Sequence, residues 1–329
     1  MTSPSIAPSR LALAYALDWL AGDPEWFPHP VRAMGRAITA GERCLRNAGD
    51  GEANETVKGA LLAGTIVTGS WAFARVALRN SDKLPRPWAA LVEAALAWTT
   101  LATRNLLDEA KTVLDDLDAG DLDRARRRLA RIVGRDTQSL AEEEIARAII
   151  ETVAESACDG IVAPLVWLST GGVPAAFAYK AANTLDSMIG HPEPPYRNFG
   201  HAAARLDDVA NLVPARLTAL CIVAAAFLAG CDAQLGWRVW LRDGGKHASP
   251  NAGQSEAAMA GALGVRLGGC NSYGGKLSSR PLLGAEGRPA RPADARKSIR
   301  IVATASVLAF GAALVCSWWR SGKTRSAPL

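Results

Sequence analysis

No two of the six cysteines stand in C-x-x-C spacing. They fall at Cys44, Cys158, Cys221, Cys231, Cys270 and Cys316, and Cys221 and Cys316 lie inside apolar runs. A zinc site or a disulfide framework is therefore not expected. No G-x-x-x-x-G-K-[ST] stretch occurs, which excludes a P-loop. Basic residues are scattered among acids and the net charge is only +5, so no nucleic-acid footprint is present. The densest basic run, 124–131, reads as an exposed helix face. Alternating strand patterns are scarce, and no internal repeat is visible. The first apolar stretch, "LALAYALDWL", spans only about ten residues, carries Asp18 and precedes no clear small-residue cleavage site. No cleaved signal peptide is expected from it.

What the chain does have is apolar length. Hydrophobic residues make up 49% of the 329, and tryptophan reaches 10. Several tryptophans flank long apolar runs, as amphipathic rings do at a membrane–water boundary. Four runs approach the roughly 20 residues that cross a bilayer: 59–78, 88–107, 212–230 and 301–319. A fifth, 161–182, is broken by Pro164 and "TGGVP". The expectation is an all-α fold, a multi-pass integral membrane helical bundle. Residues 1–320 form one membrane domain in this reading, with 231–297 a sizeable extramembrane segment rich in Gly and Pro and 321–329 a disordered basic tail. The competing reading is a soluble all-α protein with buried helices.

Three polar faces interrupt this apolar background. In a helix from Pro174 to Ile189, stopped by Gly190, residues Tyr179, Lys180, Asn183, Thr184, Asp186 and Ser187 fall within about 160° of arc. In "GHAAARLDDVANLVPAR", His201, Arg205, Asp207, Asp208 and Asn211 gather in the same way, and Pro214 suits the first turn of a following helix that carries Arg216. In "GRDTQSLAEEEIARAIIETVAESACDG", Ser139 and Glu142 match a capping box. Arg147, Glu151, Glu155 and Asp159 then recur every four residues on one face, and Asp159-Gly160 reads as the stop. A charge at bilayer depth costs at least about 2.5–3.5 kcal/mol and turns toward a cavity or a partner. Faces of Asn, Asp, Arg, Tyr and His beside apolar runs therefore read as site linings, against the alternative of solvated surfaces.

Six ordered stretches then carry a resemblance: "GDPEWFPHPVRAMG", "GRDT", "ETVAESACDGIVAPL", "YKAANTLDSMIG", "FGHAAARLDDVANLVPARLTA" and "SPNAGQSEAAMAGALGVRLGG". Together they resemble the CobD/CbiB family, the adenosylcobinamide-phosphate synthases of cobalamin biosynthesis, from about residue 11 to 284. Two departures stand out: Ser156 where the family usually has Asn, and Gln254-Ser255 where Trp-Pro is usual. The resemblance implies a multi-pass protein of the cell inner membrane with its active face in the cytoplasm. It implies an enzyme that joins the amine of (R)-1-amino-2-propanol, or its O-phosphate, to the free propionate of adenosylcobyric acid. The corrinoid is then a substrate and not a prosthetic group, ATP and Mg²⁺ are the expected cofactors, and other membrane enzymes of late cobalamin assembly are possible partners.

Activating a carboxylate as an acyl phosphate needs cations around phosphoryl oxygens and acids for Mg²⁺. Glu151, Glu155, Asp159, Lys180 and Asp186 are the candidate catalytic residues. Substrate or nucleotide binding is expected from His29, Arg135, Asp136, Asn183, Arg205, Asp208, Asn211, Arg216 and Asn251. Glu155, Asp159 and Asp207 are the candidate metal ligands. A transporter of a small polar metabolite, or a structural subunit organising corrin enzymes, remains an alternative. If 231–297 faces the cytoplasm, the last span sends Arg320, Lys323 and Arg325 outward, against the positive-inside rule.

Overall fold

A computed structural model describes residues 5–24, 26, 28–47, 49–191 and 193–325. Where the sequence suggests one domain, these residues pack as two compact units. The first comprises the chain up to Ala102, then Ala163–Asn211, and the chain from Gly311 on. The second comprises Thr103–Val162 and Leu212–Phe310. Helices dominate, in the order α1 Pro8–Ala21, α2 Pro30–Leu45, α3 Glu52–Ser81, α4 Arg86–Trp98, α5 Thr103–Asp118, α6 Leu122–Leu129 and α7 Glu142–Ala157. A π-helical turn, Cys158–Val162, leads into α8 Ala163–Ile189. Then come α9 His201–Leu228, α10 Ala233–Asp243, α11 Ala252–Leu263, the strands β1 Leu267–Tyr273 and β2 Lys276–Leu283, and α12 Pro292–Arg325. Thus α12 runs into the stretch read as a basic tail, and residues 326–329 lie outside the described residues.

Four helical runs are long and apolar enough to cross a membrane: α3, the run Glu142–Ile189, α9, and Pro292–Gly322 of α12. The number matches the sequence expectation, but one member differs. The run 88–107 is not one helix. Thr99 and Thr100 turn their hydroxyls back to the carbonyls of Leu96 (2.8 Å) and Ala97 (2.7 Å). These local bonds compete with helix continuation, and α4 ends at Trp98. Its place is taken by the fifth run, because Asp159-Gly160 does not stop the helix. The π turn absorbs that pair and the helix goes on.

Within α8 the chain breaks at Gly172, whose φ of 72° and ψ of −170° are non-helical. Such a φ favours glycine, and Pro174 follows in the first turn of the second half, where a missing N–H is harmless. The expected helix start at Pro174 is therefore seen, inside a longer element. Pro214 behaves otherwise: it lies within α9 and starts no helix. Nor does Ser139 cap α7; the N-cap is Ala141, whose N–H donates to Glu144 Oε2 at 2.9 Å.

In the first unit, Ile38, Leu62, Ala63, Leu185, Ile189, Phe199 and Ala203 form a buried cluster joining α2, α3, α8 and α9. Backbone comes close here. A Cβ on Gly59 would lie 1.8 Å from the Phe199 carbonyl oxygen. In the second unit, all twelve residues of α11 are buried. Small residues allow α10 and α11 to approach, and a Cβ on Gly261 would meet Gly236 Cα at 2.8 Å. The two strands form an antiparallel hairpin closed by Gly274-Gly275, both at positive φ, as a two-residue turn of matching twist requires. The region 231–297, read as an extramembrane segment of loop and helix, holds two helices, this hairpin and the start of α12.

Gly59→Ala forces a backbone shift, and overpacking of this kind costs about 1–3 kcal/mol. The expected result is a melting temperature several degrees lower in detergent. Gly64→Ala, on the same helix with open space around it, should leave the melt unchanged or raised.

Candidate active site

The second unit centres on Glu151, which is only 5% exposed. Its Oε1 accepts from the Gly268 N–H at 2.8 Å and from Arg147 Nη1 at 3.3 Å. Its Oε2 accepts from Arg135 Nη2. Asn271 Oδ1 accepts from both arginines, from Arg135 Nη1 at 3.0 Å and Arg147 Nη2 at 2.9 Å. Arg147 also donates to the Gly268 carbonyl. The helical stripe of the sequence is real in this part, but Glu151 is fully engaged. That makes it the clamp that orients Arg135 and the hairpin, rather than a group open to substrate.

Asp136 has a similar role. It accepts from Ser272 Oγ at 2.6 Å, Gly274 N at 3.0 Å and Gly275 N at 2.8 Å. The Ser272 hydroxyl, then the turn amides, hold its carboxyl below the usual carboxylate range. Its expected place in substrate binding gives way to a place in the hairpin, because both oxygens are occupied.

The loop before α11 carries another expected residue, Asn251. Asn251 is buried, and Arg216 Nη1 lies 3.5 Å from its Oδ1. His247 Nδ1 accepts from the Ser249 N–H at 3.0 Å. Burial, then the charge of Arg280, lowers the His247 pKa, so its ring is neutral at physiological pH. Gln254, the departure from the family pattern, uses its whole amide: Nε2 donates to the carbonyls of Gly244 and Pro250, and Oε1 accepts from Trp240 Nε1. Sequence reasoning missed Glu256. It is 3% exposed, and burial, then the charges of Glu155 and Glu151, push its carboxyl well above the usual range. The signal was a lone acid in the otherwise small and apolar "AAMAGALG" context. Glu155 itself is exposed and Asp159 half-buried.

In the first unit the two expected polar faces meet. Tyr179 donates to Asn211 Oδ1 at 3.0 Å, Asn211 Nδ2 donates to Asp207 Oδ2 at 3.0 Å, and Asn183 Nδ2 donates to Asp207 Oδ1 at 3.2 Å. Asp186 is an electrostatic neighbour of Asp207 and Asp208, and Lys180 is half-buried. Thr184 and Ser187 turn back to their own helix, bonding the carbonyls of Lys180 and Asn183, so they add no lining. Arg205 is a surface group, 71% exposed and 3.7 Å from Asp208. His29 caps α2 by accepting from the Val31 N–H, and its Nε2 lies 3.1 Å from Asp23. It borders a cavity of about 410 Å³ with Met34, Arg36, Phe73 and Phe177.

Among the described residues, no group of three or more His, Cys, Asp or Glu side chains is gathered as a metal cage. Asp207, one of the three expected ligands, is instead held by two carboxamides. A Mg²⁺ ion bound by one or two carboxylates and by substrate phosphate oxygens fits such a set better than a closed protein site does.

The Asp136 geometry sets a pH dependence. A carboxyl with a lowered folded-state pKa contributes stability above its ordinary value, near about pH 4, and loses it as pH falls through the folded value. Amide exchange at Gly274 and Gly275, corrected for intrinsic rates, should show protection at pH 7 that is lost on acidification. Asp136→Asn should lack that protection already at pH 7. Protection independent of both pH and the substitution would contradict the assignment.

Comparison with known proteins agrees with the six motifs. The family described as CobD/Cbib protein matches residues 11–302. The chain is 49% identical over 299 residues to the cobalamin biosynthesis protein CobD of Geobacter metallireducens, covering 90% of this chain and 92% of that one. It is 48% identical to the CobD of Pelobacter propionicus, covering 84% and 85%. It is 41% identical to the cobalamin biosynthesis protein CbiB of Salmonella typhimurium, covering 94% and 97%. No solved structure matches it. With these lengths and identities, the chain belongs to the CobD/CbiB family.

Proposed function

We propose that this protein acts in cobalamin biosynthesis as an ATP-dependent amide synthase of the inner membrane. It joins the amine of (R)-1-amino-2-propanol, or of its O-phosphate, to the free propionate of adenosylcobyric acid. The observation that carries this reading is the near full-length match to proteins named for cobalamin biosynthesis. The relatives' names give the pathway; the reaction type is inferred from the chemistry of the join.

A carboxylate does not react with an amine unaided. In the proposed sequence its oxygen attacks the terminal phosphoryl group of ATP, releasing ADP and leaving an acyl phosphate. The neutral amine then attacks the acyl carbon, and inorganic phosphate departs. The ammonium must first lose a proton to a base, and developing charge on the phosphoryl oxygens needs fixed cations. Arg135, held rigidly by Glu151 and Asn271, is the proposed cation in the second unit; in the first unit, Lys180 of α8 is proposed to pair with a substrate anion. Bound Mg²⁺ would neutralise phosphate charge, with Glu155 and Asp159 as its proposed holders. Asn183 and Asn211 keep Asp207 fixed. Asp186 is the carboxylate of that group proposed to take part in proton transfer or cation pairing. The active face is proposed to be cytoplasmic, where ATP is found.

Purified protein supplied with adenosylcobyric acid, either amine and ATP·Mg²⁺ should yield the amide, detected by mass. Lys180→Met should abolish turnover, and Asp186→Asn should lower it about tenfold or more, while both keep the wild-type melting temperature. Wild-type rates in both variants would remove α8 from the mechanism. A solvated-face role for Lys180 would change stability by no more than about 0.5 kcal/mol and leave activity intact.

A further inference from the structure

The network around Glu151 leaves two polar groups out. The first is the Glu256 carboxyl, buried on α11. Among the described residues no hydrogen bond or ion pair reaches it. Its electrostatic neighbours are Glu155, Glu151, Arg280 and Arg135. Both cations are engaged with other groups. Arg135 is held by Glu151 and Asn271. Arg280 lies over the Tyr273 ring, 5.6 Å from its centroid, with Nη1 3.5 Å from His247 Nε2.

The second group is the Asn271 amide nitrogen. The two guanidiniums fix which way this side chain points, since a flipped amide would set its NH₂ against both of them. Nδ2 is therefore the outward atom, and it is buried with no partner. A buried polar group without a hydrogen bond destabilises the fold, and native interiors contain few. Both groups are neighbours of Arg135, Glu256 electrostatically and Asn271 through a hydrogen bond.

The complement of an unpaired acid and an unpaired donor is a small molecule that carries a cationic N–H and an acceptor oxygen. We propose that Glu256 and Asn271 bind the amine substrate, Glu256 accepting from its ammonium and Asn271 Nδ2 donating to its oxygen. A divalent metal fits less well, because an N–H donor cannot ligate it and no three-acid set is present among the described residues. The exposed carboxylate of Glu155, an electrostatic neighbour of Glu256, favours entry of a cation. The inference deepens the amide-synthase reading and rests on it for the identity of the amine.

The test uses the full chain in detergent, with no corrinoid or ATP, and 1-amino-2-propanol as the probe in calorimetry. Wild-type protein should bind it. Propylamine, which lacks the oxygen, should bind about tenfold more weakly, and 2-propanol, which lacks the ammonium, should not bind. Glu256→Gln should weaken amine binding about tenfold or more and raise its KM, with the corrinoid KM unchanged. It should also raise the melting temperature of the free protein, because an unpaired buried acid has gone; a purely structural role would lower it. Unchanged amine affinity in Glu256→Gln, equal binding of all three probes, or Glu256-dependent stabilisation by Mg²⁺ in place of the amine would overturn the proposal. If Glu256→Gln fails to fold, the three-probe comparison on wild type decides. Glu256-dependent amine binding by a protein that makes no amide would sink the amide-synthase reading and leave the binding site standing.

Discussion

One buried carboxylate holds the second unit together. Glu151 takes hydrogen bonds from two guanidiniums and a backbone N–H, and each donor comes from a different part of the chain. Arg147 is one turn away on α7, Arg135 comes from the "GRDT" loop, and Gly268 opens the hairpin. Removing one partner of such a buried pair costs about 3–5 kcal/mol, because the remaining charge is stranded. The short motifs of the sequence thus look scattered but share one electrostatic anchor. The same anchor explains why Asn271 points its amide nitrogen away from the two guanidiniums, and so why a buried donor is left over.

The membrane imposes the other constraint. Backbone and side-chain polar groups at bilayer depth must find partners within the protein. In the first unit, Asp207 accepts from Asn183 and Asn211, and Tyr179 donates to Asn211. Hydroxyls of Thr65, Thr68, Thr184 and Ser187 return to carbonyls of their own helices.

Apolar run length made α3, α9 and α12 legible, and the 3.6-residue period exposed the faces of Asn183 and Asp207. Both signals are local, so they survive without tertiary information. The misreadings share a cause in backbone bonding that composition does not show. Thr99 and Thr100 end a helix inside an apolar run, a π turn carries the chain past Asp159-Gly160, and Pro214 is tolerated inside α9. The hairpin was missed for another reason. Its strands read "LGGCNSY" and "KLSSRPLL", with little β-branched content, and its position is fixed by Asp136 and Glu151, more than a hundred residues away in sequence. Glu256 carried a faint signal, but its burial and lack of a partner are properties of the packed α11.

The central proposal is that this single chain couples ATP cleavage to amide formation. Its most direct test is stoichiometry on the purified protein: phosphate released against amide formed, with each substrate omitted in turn. The account predicts one phosphate per amide, and no amide when ATP or the amine is left out. Amide formed without phosphate release, or phosphate release unchanged when the corrinoid is absent, would contradict it.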